Sequence, residues 1–161
     1  MLYNPTAATY ADFWLGPFKT AAASKAIEAL PAPVHDELEL ESAIAKLASS
    51  PNAGFAVMPD SFTDARSEQL TSFAARYRLP AIYAYRFFTA AGGLLSYGID
   101  LADNFQRAAS YVDRILKGEK PSELPVQAPT KYLLTINLKT AKALDLEVPL
   151  HLQQRADEVI E

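Results

Sequence analysis

A chain of 161 residues with 50% apolar and 21% charged side chains can bury one sizeable core, and its formal net charge of -4 offers no broad basic face for nucleic acid. It has no cysteine, which excludes disulfides and thiolate metal sites, and no apolar run reaches the length of a membrane span. The amino terminus lacks the basic and apolar regions of a secretory signal.

Met1 to Tyr3 read as the end of a short strand, followed by a turn at Asn4, Pro5 and Thr6. Tyr10, Trp14, Phe18, Ala21 and Ala22 recur at helical spacing, and Gly16 with Pro17 is expected to kink this helix or divide it. Ile27 to Val34 is extended. Pro31 and Pro33 each delete a ladder donor there, so the segment is expected at a sheet edge. Asp36, Glu37, Glu39 and Glu41 crowd the first turns of the next helix, whose buried stripe is Leu40, Ile44, Leu47 and Ala48. Phe55 to Met58 is the continuous apolar run of a strand covered on both faces, with Pro59, Asp60, Ser61 and Phe62 at its carboxyl end. Thr63 is the expected cap of a helix bearing Leu70, Phe73, Ala74 and Tyr77.

The stretch from Leu79 to Gly118 organises the rest. Leu79 to Tyr85 is a β-branched and aromatic strand opened by Pro80, and Arg86 follows it at once. Phe87 to Gly93 reads as an aromatic, glycine-rich turn, and Leu94 to Tyr97 as a second short apolar run that ends at Gly98. Asp100 sits where an N-cap belongs. From there Leu101, Phe105, Ala108, Ala109, Val112, Ile115 and Leu116 form one helical stripe, closed by Gly118. Pro121, Pro125 and Pro129 make an extended connector, Lys131 to Ile136 a strand, and Leu138 to Leu146 a helix. Leu150 to Glu161 is expected as a short helix or a partly ordered end. Strand and helix alternate at the interval of βαβ units, which predicts an α/β fold with a right-handed, doubly wound parallel sheet.

Chemistry in such a sheet belongs at the carboxyl ends of its strands, which selects four places: Asn4 to Thr6, Pro59 to Phe62, Tyr85 to Phe88, and Tyr97 to Asp100. Their residues make a kit for a small amphipathic ligand. Arg86 suits a carboxylate, Asp60 or Asp100 an ammonium group, and Tyr83, Phe87, Phe88 or Tyr97 the faces of a side chain, with Ser61 and the backbone of its turn completing the shell. Each also has a structural use: Asp100 as a cap, Ser61 in its turn, Tyr83 in the core, Phe87 and Phe88 as cover for the sheet end, Arg86 as a side chain that reaches for water. Catalysis finds little footing. His35 and His151 lack a neighbouring nucleophile or ligand-spaced partners, Asp60 and Ser61 lack the glycines of a nucleophile elbow, and Gly92, Gly93 and Gly98 do not have phosphate-loop spacing. No catalytic residue, metal ligand or cofactor is assigned.

The run LLSYGIDLADNFQRAASYVDRILKGEKPSELPVQAPTKYLLTINLKTAKAL resembles the carboxyl-terminal part of a family of ABC-importer substrate-binding proteins that includes tryptophan and tyrosine binders. The resemblance rests on the SYGxD turn, the YVDRILKG helix end, the LPVQxPTK linker and the INLKTAKAL segment, in that order, and extends more weakly to the YNP near the amino terminus. It implies a Rossmann-like lobe of a type I periplasmic binding protein. Residues 1–90 would form that lobe, residues 91–118 a crossover strand and helix of the other, incomplete lobe, and residues 119–161 an extended connector, strand and terminal helices. It further implies a periplasmic solute-binding component that takes an amino acid or similar small organic ligand and delivers it to a membrane permease, with Asn4, Asp60, Ser61, Phe62, Arg86, Phe87, Tyr97 and Asp100 as ligand-binding residues. The family is about twice this length. The helix after Asp100 therefore has no sheet of its own to cover, which leads to an expectation of self-association. The alternative is a non-catalytic α/β interaction or regulatory module that acts as a homodimer.

Overall fold

The computed structural model describes residues 1–161. Its elements in chain order are β1 (Leu2–Tyr3), α1 (Ala11–Ala23), β2 (Ala32–Pro33), α2 (Glu37–Ala48), β3 (Phe55–Ala56), α3 (Ser61–Asp64), α4 (Ser67–Arg76) and β4 (Ala81–Tyr83). There follow α5 (Arg86–Ala90), β5 (Leu95–Ile99), α6 (Leu101–Leu116), a 3₁₀ turn (Pro121–Glu123), β6 (Tyr132–Asn137), α7 (Leu138–Ala143), α8 (Leu150–Gln153) and β7 (Glu158–Ile160).

Strands β1 and β2 pair in parallel, as do β3, β4 and β5. The two groups join where Leu2 bridges Val57 in parallel and the Met58 N–H donates to the Leu2 carbonyl at 2.9 Å. The spatial order is therefore β2-β1-β3-β4-β5, the doubly wound pattern expected from the sequence. Strand β6 then runs antiparallel to β5, and β7 runs parallel to β6.

Helices cover the two faces unequally. Leu40 and Ile44 of α2, Leu70 and Phe73 of α4 and Phe88 of α5 pack with Leu2, Phe55, Val57 and Tyr83 into the main core. Burial of each large aliphatic chain there contributes about 1.5–3 kcal/mol. On the opposite face α1 packs through Ala11 and Leu15, with Ala8 of the turn before it, against Met58, Met1 and Tyr3. Side chains alternate along a strand, so Ile82 of β4, Tyr97 of β5 and Tyr132 of β6 point to that second face, and all three are exposed. None of the sixteen residues of α6 is buried.

Four expectations are corrected. Pro17 lies inside a single helix, α1, without dividing it; the bond that it deletes would have gone to Phe13, which is exposed, so water can serve the freed carbonyl. Phe87 to Gly93 is mainly helical: α5 begins at Arg86, and only Gly92, at φ +99°, takes the left-handed conformation that ends it. Thr63 does not cap the helix bearing Leu70, which is α4 and starts after Arg66 without a side-chain cap; it is the third residue of a separate short helix, α3, capped by Asp60. The tail forms the expected short helix, α8, and then an unexpected strand, β7, because Thr135 to Asn137 of β6 leave an open ladder for it. The proline-bearing segment sits at the sheet edge as expected, as β2.

Candidate functional site

The chain leaves β1 through α1 on one face and returns through α2 on the other, so the switch point of this sheet lies between β1 and β3. Asn4 and Asp60 meet there, both buried. The Asn4 N–H donates to Asp60 Oδ2 at 3.0 Å, and Asp60 Oδ1 accepts from the Thr63 N–H at 2.8 Å as the cap of α3. Asn4 Oδ1 accepts from the N–H groups of Thr6 and Ala7 at 3.0 and 2.9 Å, and its Nδ2 donates to the His35 carbonyl at 3.3 Å. Both side chains are thus spent on fixing the loops that frame the switch point. Ser61 is exposed at the first position of α3, and Phe62 is half-buried beneath the Arg66 guanidinium, 4.0 Å from its ring centroid.

Next to this point a pocket of about 260 Å³ opens between the carboxyl ends of β4 and β5. Its walls are Ala84, Tyr85, Phe87, Ile99, Leu101 and Leu133, with Arg86 and Asp100 contributing charge. Gly98 is required here: a Cβ would stand 1.9 Å from the Ala84 carbonyl oxygen, so only glycine lets β5 pass so close to the end of β4. Phe87 stacks between Tyr85 and Phe88, with ring centroids 5.5 and 4.8 Å away, and stays partly exposed. Arg86 forks onto Glu158 of β7, with Nε to Oε2 at 2.5 Å and Nη2 to Oε1 at 2.6 Å. That hydrogen-bonded pair raises the arginine pKa and holds the Glu158 carboxyl below its ordinary value. Asp100 caps α6 by accepting from Ala102 and Asp103 N–H groups at 3.0 and 3.2 Å, and its other oxygen pairs with Lys131 Nζ at 2.7 Å. The lysine hydrogen bond is the first cause of its lowered pKa.

Of the eight residues singled out from the sequence, Arg86, Phe87 and Asp100 converge on the pocket, while Asn4, Asp60, Ser61 and Phe62 build the neighbouring switch point. Tyr97 joins neither group. It points to the sheet face away from α5 and stacks on Tyr132 at 5.8 Å. Sequence reasoning passed over Asp64, Tyr85, Tyr10 and Glu158. Tyr10 donates to the Pro59 carbonyl, and burial, followed by the charge of Asp60, raises its pKa. Asp64 Oδ1 is buried without a partner; burial first and the Asp60 charge second push this carboxyl up to about 6. Tyr85 lines the pocket, and burial first and the charge of Asp64 second raise its pKa. One signal did lie in the sequence: Asp64 follows Asp60 by one helical turn. No group of three His, Cys, Asp or Glu side chains is arranged to hold a metal ion.

The carboxyl edge of an open α/β sheet, where these polar and charged groups lie, is where ligands bind in folds of this kind. The chain belongs to the ABC transporter substrate binding protein family, whose model matches residues 1–160. Solved structures of the same fold include a conserved domain protein from Vibrio cholerae O1 biovar El Tor, at TM-score 0.85 and 24% identity over 98% of this chain and 53% of that one. Another is the ABC domain in complex with L-Trp from Streptococcus pneumoniae, at TM-score 0.87 and 22% identity over 99% and 53%. A third is the ligand-free, open form of CD0873, a substrate-binding protein with adhesive properties from Clostridium difficile, at TM-score 0.68 and 19% identity over 99% and 52%. The chain spans about half the length of each. No curated protein matches it. Members of the family are non-catalytic transport components and are typically extracytoplasmic. No helix of this chain is long and apolar enough to cross a membrane.

Proposed function

We propose that this chain is one lobe of a solute clamp that serves an ABC importer outside the cytoplasm, binds a small organic molecule such as an amino acid, and catalyses no reaction. The observation that carries the reading is the pocket between β4 and β5, which sets an apolar floor of Phe87, Ile99, Leu101 and Leu133 beside the charged Arg86 and Asp100 at the carboxyl edge of the sheet. L-Tryptophan is the first solute to try, since one neighbour of the same fold was solved with it. The residues proposed to hold the solute are Arg86, Phe87 and Asp100 at the pocket and Ser61 and Phe62 at the switch point, with Asn4 and Asp60 holding the loops in place. Tyr97 is left with a role away from this pocket. In a thermal-shift series with the twenty amino acids, one or a few raise Tm; a ligand at one hundred times its Kd stabilises by about 2.7 kcal/mol. A flat response to all twenty at millimolar concentration removes the reading.

A second reading, a non-catalytic module that works as a homodimer, is favoured by the bare apolar stripe of α6, where Phe105 and Leu116 are 71% and 81% exposed. Light scattering across a concentration series separates the two: a mass that stays at one chain removes the homodimer, and a dimer indifferent to every solute removes the clamp.

A further inference from the structure

The two rim charges of the pocket are both neutralised from within the chain, but on different terms. Asp100 has three uses at once, since it caps α6 through two backbone N–H groups and pairs with Lys131. Arg86 has one. Its guanidinium lies at the first position of α5, half exposed, and its Nε–Nη2 edge is filled by both oxygens of Glu158. That fork is the arrangement in which arginine recognises a free carboxylate, and here the carboxylate comes from the same chain.

The element that brings Glu158 is a short edge strand. β7 has three residues, none buried, and pairs only with β6, so it lies at an edge where opening costs little. While Glu158 is in place the pair is neutral. A second carboxylate on the remaining Nη1–Nη2 edge would set two anions on one cation, and like charges that close oppose each other.

We infer that Glu158 acts as an internal competitor for the anionic group of the solute: Arg86 takes a solute carboxylate only when Glu158 lets go, so Glu158 is a specificity-determining residue that weakens binding of acids relative to their neutral amides. The inference rests on the solute-binding reading above and specifies its anionic subsite. It gives a reason for an ion pair at the mouth of an otherwise apolar pocket, and it assigns a function to a strand that the sequence did not announce.

The test is a calorimetric titration of wild type, Glu158→Gln and Glu158→Ala with the twenty L-amino acids and their carboxamides. Removal of the competing charge tightens binding of the acids about tenfold, a difference of about 1.4 kcal/mol. It leaves the carboxamides unchanged, and Arg86→Gln in the Glu158→Gln background abolishes the gain. Equal gains for acids and carboxamides, no gain in either Glu158 variant, or a gain that survives loss of Arg86 each overturn the inference while leaving the solute-binding reading intact. Absence of any binding in all the proteins overturns both.

Discussion

Helices α2 and α6 are built from the same local elements and live in opposite surroundings. Each opens on an aspartate that accepts backbone N–H groups, Asp36 from Glu39 at 2.9 Å and Asp100 from Ala102 and Asp103. Each carries one apolar stripe. In α2 that stripe, Leu40 and Ile44, is 0% and 1% exposed, whereas in α6 Phe105, Val112 and Leu116 stand in the open. Amphipathic spacing states that a face is to be covered; it does not state by what. The cover of α2 is the sheet that its own neighbours in sequence build, β1, β3 and β4. No element of these 161 residues buries the stripe of α6.

This contrast can be broken or sharpened by substitution. The largest effect is expected in the covered helix: Leu40→Ala leaves a cavity beneath α2 and costs about 3 kcal/mol of unfolding free energy in a urea titration, and a loss below about 1 kcal/mol would mean that the lobe core is less packed than its burial indicates. Next comes Asp64, the carboxyl with a buried, unpartnered oxygen. Its pKa in the fold, about 6, lies above the ordinary 3.8, so between those values the native state binds more protons than the unfolded chain. Its contribution to stability is therefore complete below the ordinary value and declines as pH rises through the folded one. Asp64→Asn should accordingly raise Tm at neutral pH and lose that advantage near the ordinary carboxylate pKa; an advantage independent of pH would assign the effect to something other than this proton.

Smaller effects are expected around α6. Asp100→Ala removes the cap and the Lys131 pair together and costs about 1 kcal/mol, read as lost helicity by circular dichroism alongside the unfolding curve. Leu116→Ser in the exposed stripe should change stability by no more than about 0.5 kcal/mol in a monomer. A larger loss that depends on protein concentration would show that a second copy covers the helix, and would turn the comparison with α2 into a difference of chain rather than of burial.

The candidate site was partly legible for the same reason that α2 was. A residue just past the end of a strand falls at the carboxyl edge whatever the rest of the fold does, so Arg86, Phe87 and Asp100 could be named from the pattern. Tyr97 lies outside the pocket lining although Ile99, two residues on and on the same face, is part of it: Tyr97 sits one step back from the strand's carboxyl end. There it stacks on Tyr132, a cross-strand contact set by the β5–β6 register that spacing cannot reveal. Asp60 was recognised as polar and well placed, but its two oxygens accept from Asn4 and Thr63, and the first of these is a contact between segments 56 residues apart that spacing cannot reveal.

Local chemistry in the sequence determined the strand and helix alternation, the Asp100 cap and the stripe on α6, because each depends on residues within a turn or two of one another. Tertiary structure decided the rest. It chose Glu158 for Arg86 across 72 residues, added β7 to an open ladder, put Gly98 against Ala84, and left part of one sheet face and one helix exposed. These outcomes depend on which surfaces meet in space, and that depends on the whole set of packed elements rather than on any one of them.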